Sequence, residues 1–423
     1  WGDRRNVTTN GVDVYGQLLT SAFALSGTEF IISNPLRGQQ LPVVAAGSTD
    51  YFAVWSDQRD NNVDTAMAAR ITQAGAVMDT NGIVLPLGNN RESTPAVGRA
   101  AGIFGVFWGD SRVVGNNIQM VRFNGNGSKL DTTAKIVSSA QFAQFNPSST
   151  VSANSNFQVV WSDARGIDRD IYTARVDPNG TLLDANGVVV SNGTADQLVP
   201  DIANGGTNSL VVWQDRRAGS FDIRGAVISA TGASVVPDFV ICSATGDQTR
   251  PTVAYDATNS QWMVIWSDSR VPTNPDIYAA RVSAAGAVLD ANGVLVSGAA
   301  LGQFAPNIAF TNGTFLAAWE DRRLDTAGDI YGTRLKGGAT LQVVDAAGIK
   351  MSNGTGQQTN AQVASLGTSF LAAWTDGRTV ATTGTDIYGV QIASTGTVTA
   401  TDFVISNAVE DETNPSLAEG AAS

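Results

Sequence analysis

The sequence predicts an all-β fold: an eight-bladed β-propeller of four-stranded antiparallel blades. Three observations predict it. First, a pattern W-x-D-x-R, a short polar gap, then D-I-Y-x-x-R, returns along the whole chain, with its tryptophan at Trp1, Trp55, Trp108, Trp161, Trp213, Trp266, Trp319 and Trp374. Successive steps are 54, 53, 53, 52, 53, 53 and 55 residues. So steady a period means one supersecondary unit copied eight times. Second, each copy holds four short strand patterns separated by turns, which is the content of one propeller blade. Third, the ends are complementary. Residues 413–423 (TNPSLAEGAAS) read as a first strand with no second strand after it, and residues 1–5 (WGDRR) as the end of a second strand with no first strand before it. Together they complete one blade and pin the ring. Comparison with Ser369 to Trp374 implies that four residues of that second strand are missing, so the parent chain is expected to extend beyond one end.

The copy from Pro147 to Pro200 shows the elements in order. A first strand opens after Pro147, where a missing N–H is not yet needed in the ladder. The second strand, Phe157 to Trp161, is apolar on successive residues, so both its faces are buried. After the gap SDARGIDR comes a third strand, Asp170 to Val176. Turns at Asp177 to Gly180 and Asp184 to Gly187 follow, and a fourth strand ends at Ser191. Gly and Asn supply positive φ in these turns, and Asp is expected to cap its own turn backbone. The strand-opening Pro recurs at Pro42, Pro95, Pro147, Pro200, Pro251, Pro306 and Pro415, with Ala361 in its place in one copy. Three residues earlier stand Gln39, Glu92, Gln144, Gln197, Gln248, Gln303, Gln358 and Glu412. No linker or charge run interrupts the period, so residues 1–423 form a single domain.

Composition narrows function by exclusion. Histidine is absent, which removes Ser-His-Asp and Cys-His nucleophile systems and His-ligated zinc. An enzyme built on this chain has to work with carboxylates, Tyr, Lys or Arg. A net charge of −12 argues against nucleic acid, which needs a basic face. No apolar run is long enough to span a membrane, so direct insertion is not expected. Cys242, the single cysteine, reads as a small core residue.

In W-x-D-x-R the three residues are spaced to share one strand face. Each Trp wedges between blades, and burying one is worth roughly 4–6 kcal/mol gross as an upper bound. The Asp and Arg are unreplaced: Asp3, Arg5, Asp57, Arg59, Asp110, Arg112, Asp163, Arg165, Asp215, Arg217, Asp268, Arg270, Asp321, Arg323, Asp376 and Arg378. The D-I-Y Asp is Asp13, Asp170, Asp222, Asp276, Asp329 or Asp386, with Asn117 in one copy and either Asp64 or Thr65 in another. As a fold device, the W-x-D Asp accepts backbone N–H bonds in the loop, while the Arg forks onto the D-I-Y Asp and loop carbonyls. As a functional device, the same sixteen residues make a repeated loop niche for an acidic or sugar ligand. Asp-Asn-Gly turns such as Asp290 to Gly293 offer oxygens to calcium but lack the alternating ligands of a calcium loop, and no other cofactor is implied. Residues that break the repeat, namely Arg91, Arg99, Phe142, Phe145, Arg250, Tyr255, Trp262 and Phe304, are candidate contacts because aromatic and Arg side chains favour interfaces.

The W-x-D-x-R…D-I-Y repeat resembles those of secreted and surface-attached propeller proteins of bacteria and archaea. It is loosely similar to the TolB-type repeat, although S-P-D-G does not follow the Trp. The resemblance covers the whole chain and implies a non-catalytic binding or scaffold propeller. Its expected place is outside the cell, at the cell surface or in the periplasm. Expected partners are a surface protein or a polysaccharide, with the chain part of a larger assembly. One alternative is a multivalent lectin, because weak identical sites gain by avidity. Another is a carbohydrate-active lyase or hydrolase using carboxylates, which needs one asymmetric carboxylate pair. The only extra acidic group is Glu410 to Glu412, expected to solvate a loop.

Overall fold

A computed structural model describes residues 1–9, 11–60, 63–85, 95–113, 115–324, 326–398 and 401–419. Its strands form eight separate antiparallel sheets, the blades of a propeller. Blade 1 is made from both ends of the chain: Glu412–Thr413, Gly2–Asp3, Asp13–Leu19 and Leu25–Ser33. Blades 2 to 8 follow in order, with second strands Asp50–Asp60, Ile103–Val113, Phe157–Asp163, Asn208–Asp215, Gln261–Asp268, Thr314–Asp321 and Ser369–Asp376. In blade 7 the outer edge is two short pieces, Gln342–Val343 and Ile349–Lys350. Among the described residues no helix is long and apolar enough to cross a membrane.

First strands touch first strands of neighbouring blades, so they stand innermost. Second strands are sandwiched. Every residue of Phe157–Asp163 is buried, which is why that segment is apolar on both faces. The core sits between blades rather than within them. Leu316 and Ala318 of blade 7, for example, meet Phe370, Ala372 and Trp374 of blade 8. Seven of the repeat tryptophans are fully buried, and Trp1 is 8% exposed. Cys242 is buried in the same layer, and burial pushes its thiol up to about 11, so it is inert at neutral pH.

One expectation is corrected. In six blades the first strand opens at the Gln, not at the Pro, as Gln144–Val151 begins three residues before Pro147; in blade 3 the described strand, Ala96–Ala100, follows Pro95 as expected. Pairing with the second strand jumps between Phe145 and Ser148, which marks a β-bulge. The residue just before the Pro, or before Ala361 in its place, has positive φ in every described copy: Leu41, Asn146, Val199, Arg250, Ala305, Asn360 and Asn414, all between 49° and 57°. The Pro therefore sits in a bulge, where its missing N–H costs no ladder bond.

Candidate functional site

The repeated Trp, Asp and Arg close on one another. In blade 4 Trp161 Nε1 donates to Asp163 Oδ2 at 2.7 Å. The Arg165 backbone N and Nε both donate to Asp163 Oδ1 at 2.9 Å, and Nη2 donates to Oδ2 at 2.6 Å. The lock repeats at Trp55–Asp57–Arg59, Trp213–Asp215–Arg217, Trp266–Asp268–Arg270, Trp319–Asp321–Arg323 and Trp374–Asp376–Arg378. Asp3 and Arg5 pair the same way in blade 1. Asp110 is buried in blade 3, and the side chain of Arg112 lies outside the described residues.

The Asp takes loop N–H bonds as expected, but the Arg does not fork onto the D-I-Y Asp. It forks onto the Asp two residues before it, and its plane covers the D-I-Y tyrosine: Arg165 lies 3.8 Å from the Tyr172 ring centre, Arg270 3.6 Å from Tyr278 and Arg378 3.6 Å from Tyr388. Its last N–H groups reach a turn carbonyl of its own blade and the serine ending the previous blade, Asn186 O at 2.8 Å and Ser138 Oγ at 3.2 Å for Arg165. Each niche thus presents the edge of an Arg, with its carboxylate buried behind it.

The D-I-Y Asp lies directly across the ladder from the W-x-D Asp, as in Asp163 opposite Asp170 and Asp376 opposite Asp386. Register identifies Thr65 as the counterpart in blade 2, opposite Asp57; the side chain of Asp64 is not among those described. Two carboxylates face to face cannot both ionise freely. Burial, then repulsion from Asp163 and Asp168, raises Asp170 to about 6. Asp13, Asp222, Asp276 and Asp386 shift upward for the same two reasons.

At the other end of the blades the D-I-Y-x-x-R arginine holds the Asp of the Asp-x-x-Gly turn. Arg175 Nε lies 2.7 Å from Asp184, Arg281 Nε 2.7 Å from Asp290, and Arg334 Nη2 2.8 Å from Asp345. Arg122, paired with Asp131, also donates from Nη1 to Pro178 O of the next blade at 2.6 Å. These carboxylates serve Arg instead of capping their own turns, whereas Asp177 does cap its own, accepting from Thr181 N at 2.7 Å. Among the described residues no three acidic, Cys or His side chains converge as a metal site.

The pattern-breaking residues divide. Trp262 is fully buried and tilts against Tyr255 at 5.4 Å, so both belong to packing. Phe145 lies under Arg169 and Phe304 under Arg322. Arg99 sits over Phe104, Arg250 is exposed, and Phe142 is 50% exposed. Arg91 and Glu92 lie outside the described residues.

Blade 1 differs from the rest. Where the six described Gln side chains donate to turn carbonyls, as Gln144 does to Phe142 O at 2.7 Å, blade 1 has Glu412. Glu412 is fully buried, not solvating a loop. Its Oε1 accepts from Ala408 N at 2.9 Å and meets Ser406 Oγ at 2.7 Å. Ser406 Oγ lies equally close, 2.7 Å, to Oε2 of Glu29. Arg5 pairs with Asp3, Glu29 and Glu412. A hydroxyl has one proton, so two carboxyl groups on it require that one be protonated and donate. Burial first, then the charge of Asp3 and a hydrogen bond with it, push Glu412 up to about 8, against the pull of Ser406 and Ala408. Burial also opposes ionisation of Glu29, but hydrogen bonds from Arg5 and Ser406 outweigh it and hold that group below the usual carboxylate range. The proton therefore resides on Glu412 and the charge on Glu29, whose side chain is 29% exposed. Sequence reasoning passed over Glu29. Its signal is an acidic residue four before the small residue ending a fourth strand, shared with Asp238 and Asp402.

No protein-family model matches the chain, the TolB-type repeat included, and no curated protein matches it. Solved structures do. A puromycin-hydrolysing peptidase of Mycobacterium tuberculosis superposes with a TM-score of 0.50 at 12% identity, over 87% of this chain and 53% of that one. A puromycin hydrolase superposes with a TM-score of 0.53 at 12% identity, over 94% and 56%. The chain thus spans about half the length of each. A family-43 glycoside hydrolase reaches a TM-score of only 0.35 at 11% identity, over 64% and 96%. At such identities the likeness is one of fold. Both structures are hydrolases, so the finding runs against the expectation of a non-catalytic chain.

Proposed function

We propose that the chain is a carboxylate-dependent hydrolase whose acid–base centre is the Glu412–Ser406–Glu29 array of blade 1. The observation that carries this reading is the single hydroxyl of Ser406, 2.7 Å from both carboxyl groups. Paired carboxyls whose environments push their proton affinities apart are how acid and base roles are assigned. Among the described residues the array occurs once, whereas the Trp-Asp-Arg lock recurs in six blades, and so it has the asymmetry that catalysis needs. Glu29 is its outward end. Ionised at rest, it relays the proton: as the bond breaks, Glu412 gives its proton to Ser406, Ser406 gives its own to Glu29, and Glu29 passes it to the leaving oxygen. The water that adds then returns a proton along the same path, so the enzyme ends as it began. Arg5 steadies the charge on Glu29. A chain without histidine and with carboxyls in this role favours a glycosidic bond, and hence a polysaccharide substrate.

The test exploits the repeat. Glu412→Gln installs the residue that six other blades carry at this place, so the fold is retained while the transferable proton is lost. Hydrolysis of a panel of aryl glycosides and polysaccharides is expected for the native chain, falling as pH rises through about 8 where Glu412 loses its proton. Glu412→Gln and Glu29→Gln are expected to lower kcat by about a hundredfold or more. Full turnover by Glu412→Gln, or an inert native chain across the panel, overturns the reading.

A further inference from the structure

In three blades the lock arginine receives a second carboxylate, from the residue four before the end of the fourth strand: Glu29 on Arg5, Asp238 on Arg217 and Asp402 on Arg378. Asp402 shows the geometry in full. Its Oδ2 accepts from Arg378 Nη2 and, at 2.9 Å, from the backbone N of Asn353, the residue after Ser352 of the preceding blade. Blades 4 and 6 carry no such acid. Their turn asparagines take that N–H instead, Asn186 Oδ1 from Ser139 N at 3.0 Å and Asn292 Oδ1 from Ser243 N at 3.1 Å. Glycine stands at the acid's place there, and a Cβ on Gly187 or Gly293 would meet the ring of Trp161 or Trp266 at 2.5 or 2.6 Å, so the place is filled.

Blade 7 has neither device. Gly348 stands where the acid would be and Ala347 where the asparagine would be. A Cβ on Gly348 would lie 3.4 Å from Arg323 Nη2, facing the guanidinium rather than the tryptophan. Arg323 directs four of its five N–H groups to Asp321, Ala347 O and Ser297 Oγ; the fifth, on Nη1, has no acceptor among the described residues. The exposed Gly298 N–H, next after Ser297, likewise has none among the described residues. At these two donors the blades leave a cavity of about 440 Å³, walled by Leu295, Val343, Ala346 and Ala347. Lys350 lies 3.1 Å from Asp329, so the D-I-Y carboxylate of this blade is offset by a cation.

We infer that this cavity between blades 6 and 7 binds a small organic acid, its carboxylate held by Arg323 and the Gly298 N–H as Asp402 is held by Arg378 and the Asn353 N–H. The next blade thus carries a copy of the ligand's head group. Pairing of Arg323 with Asp321 does not exclude a second carboxylate, because Arg5, Arg217 and Arg378 each accept one while paired in the same way. Charge-assisted bonds to a guanidinium and a main-chain N–H give the head group its affinity. The walls set the rest of the ligand. Leu295, Val343 and the methyl groups of Ala346 and Ala347 offer apolar surface, which suits a short branched hydrocarbon body better than a hydroxylated one.

The experiment titrates the chain with isocaproate in a calorimeter. Saturable one-to-one binding is expected, and none with isocaproamide, which keeps the shape and lacks the charge. Glucuronate, a carboxylate on a hydroxylated body, is expected to bind about tenfold more weakly or worse. Ala346 is exposed, so changes there leave the fold alone. Ala346→Glu tethers a carboxylate at the cavity and is expected to weaken isocaproate by about tenfold or more, whereas Ala346→Gln, alike in size and neutral, is expected to stay within about twofold of the native chain. No saturable binding, equal binding of the amide, or Glu and Gln variants that behave alike overturns the proposal. Tighter binding of glucuronate, or of an acetylated peptide ending in leucine, overturns the small apolar acid and gives the site to another carboxylate. Neither Glu29 nor Glu412 lines the cavity, so the outcome is independent of the hydrolase reading.

Discussion

The Asp of W-x-D-x-R organises four groups at once: an indole N–H, a backbone N–H and two guanidinium N–H groups. Such a carboxylate is costly to remove because its partners stay behind. Asp268→Ala is expected to destabilise by about 3 kcal/mol, since Trp266 Nε1 and Arg270 lose a buried acceptor; urea melts of the two proteins measure it. The Asp facing it across the ladder behaves in the opposite sense. Asp170 has a folded-state pKa raised from the usual 3.8 to about 6, so its ionisation opposes folding. That penalty is absent below pH 3.8, grows as pH rises toward about 6, and is constant above. Asp170→Asn is therefore expected to raise stability at neutral pH by up to about 1 kcal/mol after allowance for partial exposure, and to leave stability near pH 3 unchanged. Asn117 already stands at this position in blade 3. Melts at the two pH values decide it: equal effects at both would mean that packing, not charge, separates Asp from Asn.

At the scale of the strand, the repeat carries a bulge that its sequence half announces. The Pro was legible because it recurs; its place inside a bulge was not, because the Gln that begins the strand looks like loop chemistry until its partner is known. Gln144 pairs with Asp163, and only that pairing shows that the strand has already started. The Arg partners failed to read for a related reason. Sequence spacing put Arg165 near Asp170, but a hairpin brings the Tyr172 ring under the guanidinium and leaves Asp163 as the bidentate acceptor. The blade count, the closure and the two-sided second strand were legible because they follow from period and polarity alone. The αL residue of the bulge offers a direct check. Val199 holds φ 52°, costly for a β-branched side chain, where three other copies use Asn. Val199→Asn is expected to stabilise by about 0.5–1 kcal/mol, read by calorimetry. A loss of stability would mean that the apolar contacts of Val199 outweigh its backbone strain.

At the scale of the molecule, the ring closes through its shortest blade. Gly2 pairs with Thr413 and Asp3 with Glu412, while Val44 N donates to Ser416 Oγ at 3.2 Å from the neighbouring blade. The carboxyl array hangs on the same seam: Glu29 belongs to blade 1 through the N-terminal half, Glu412 through the C-terminal half, and Ser406 to blade 8. Closure and the acid–base centre are thus one structure, and a ring that opens also separates the centre. A circular permutant tests the coupling. The old ends are joined by a copy of Leu366 to Ala373 placed between Glu419 and Trp1, which gives blade 1 a complete first and second strand. New ends are opened beside Ile167, an exposed loop tip. Because ring opening then requires breaking a full ladder, the thermal midpoint is expected to rise by about 5 °C, and the hydrolysis assigned to Glu29 and Glu412 should survive to the new midpoint. If the midpoint falls, the added segment does not complete blade 1. If it rises while activity is lost at the old temperature, the centre depends on something other than the closed seam.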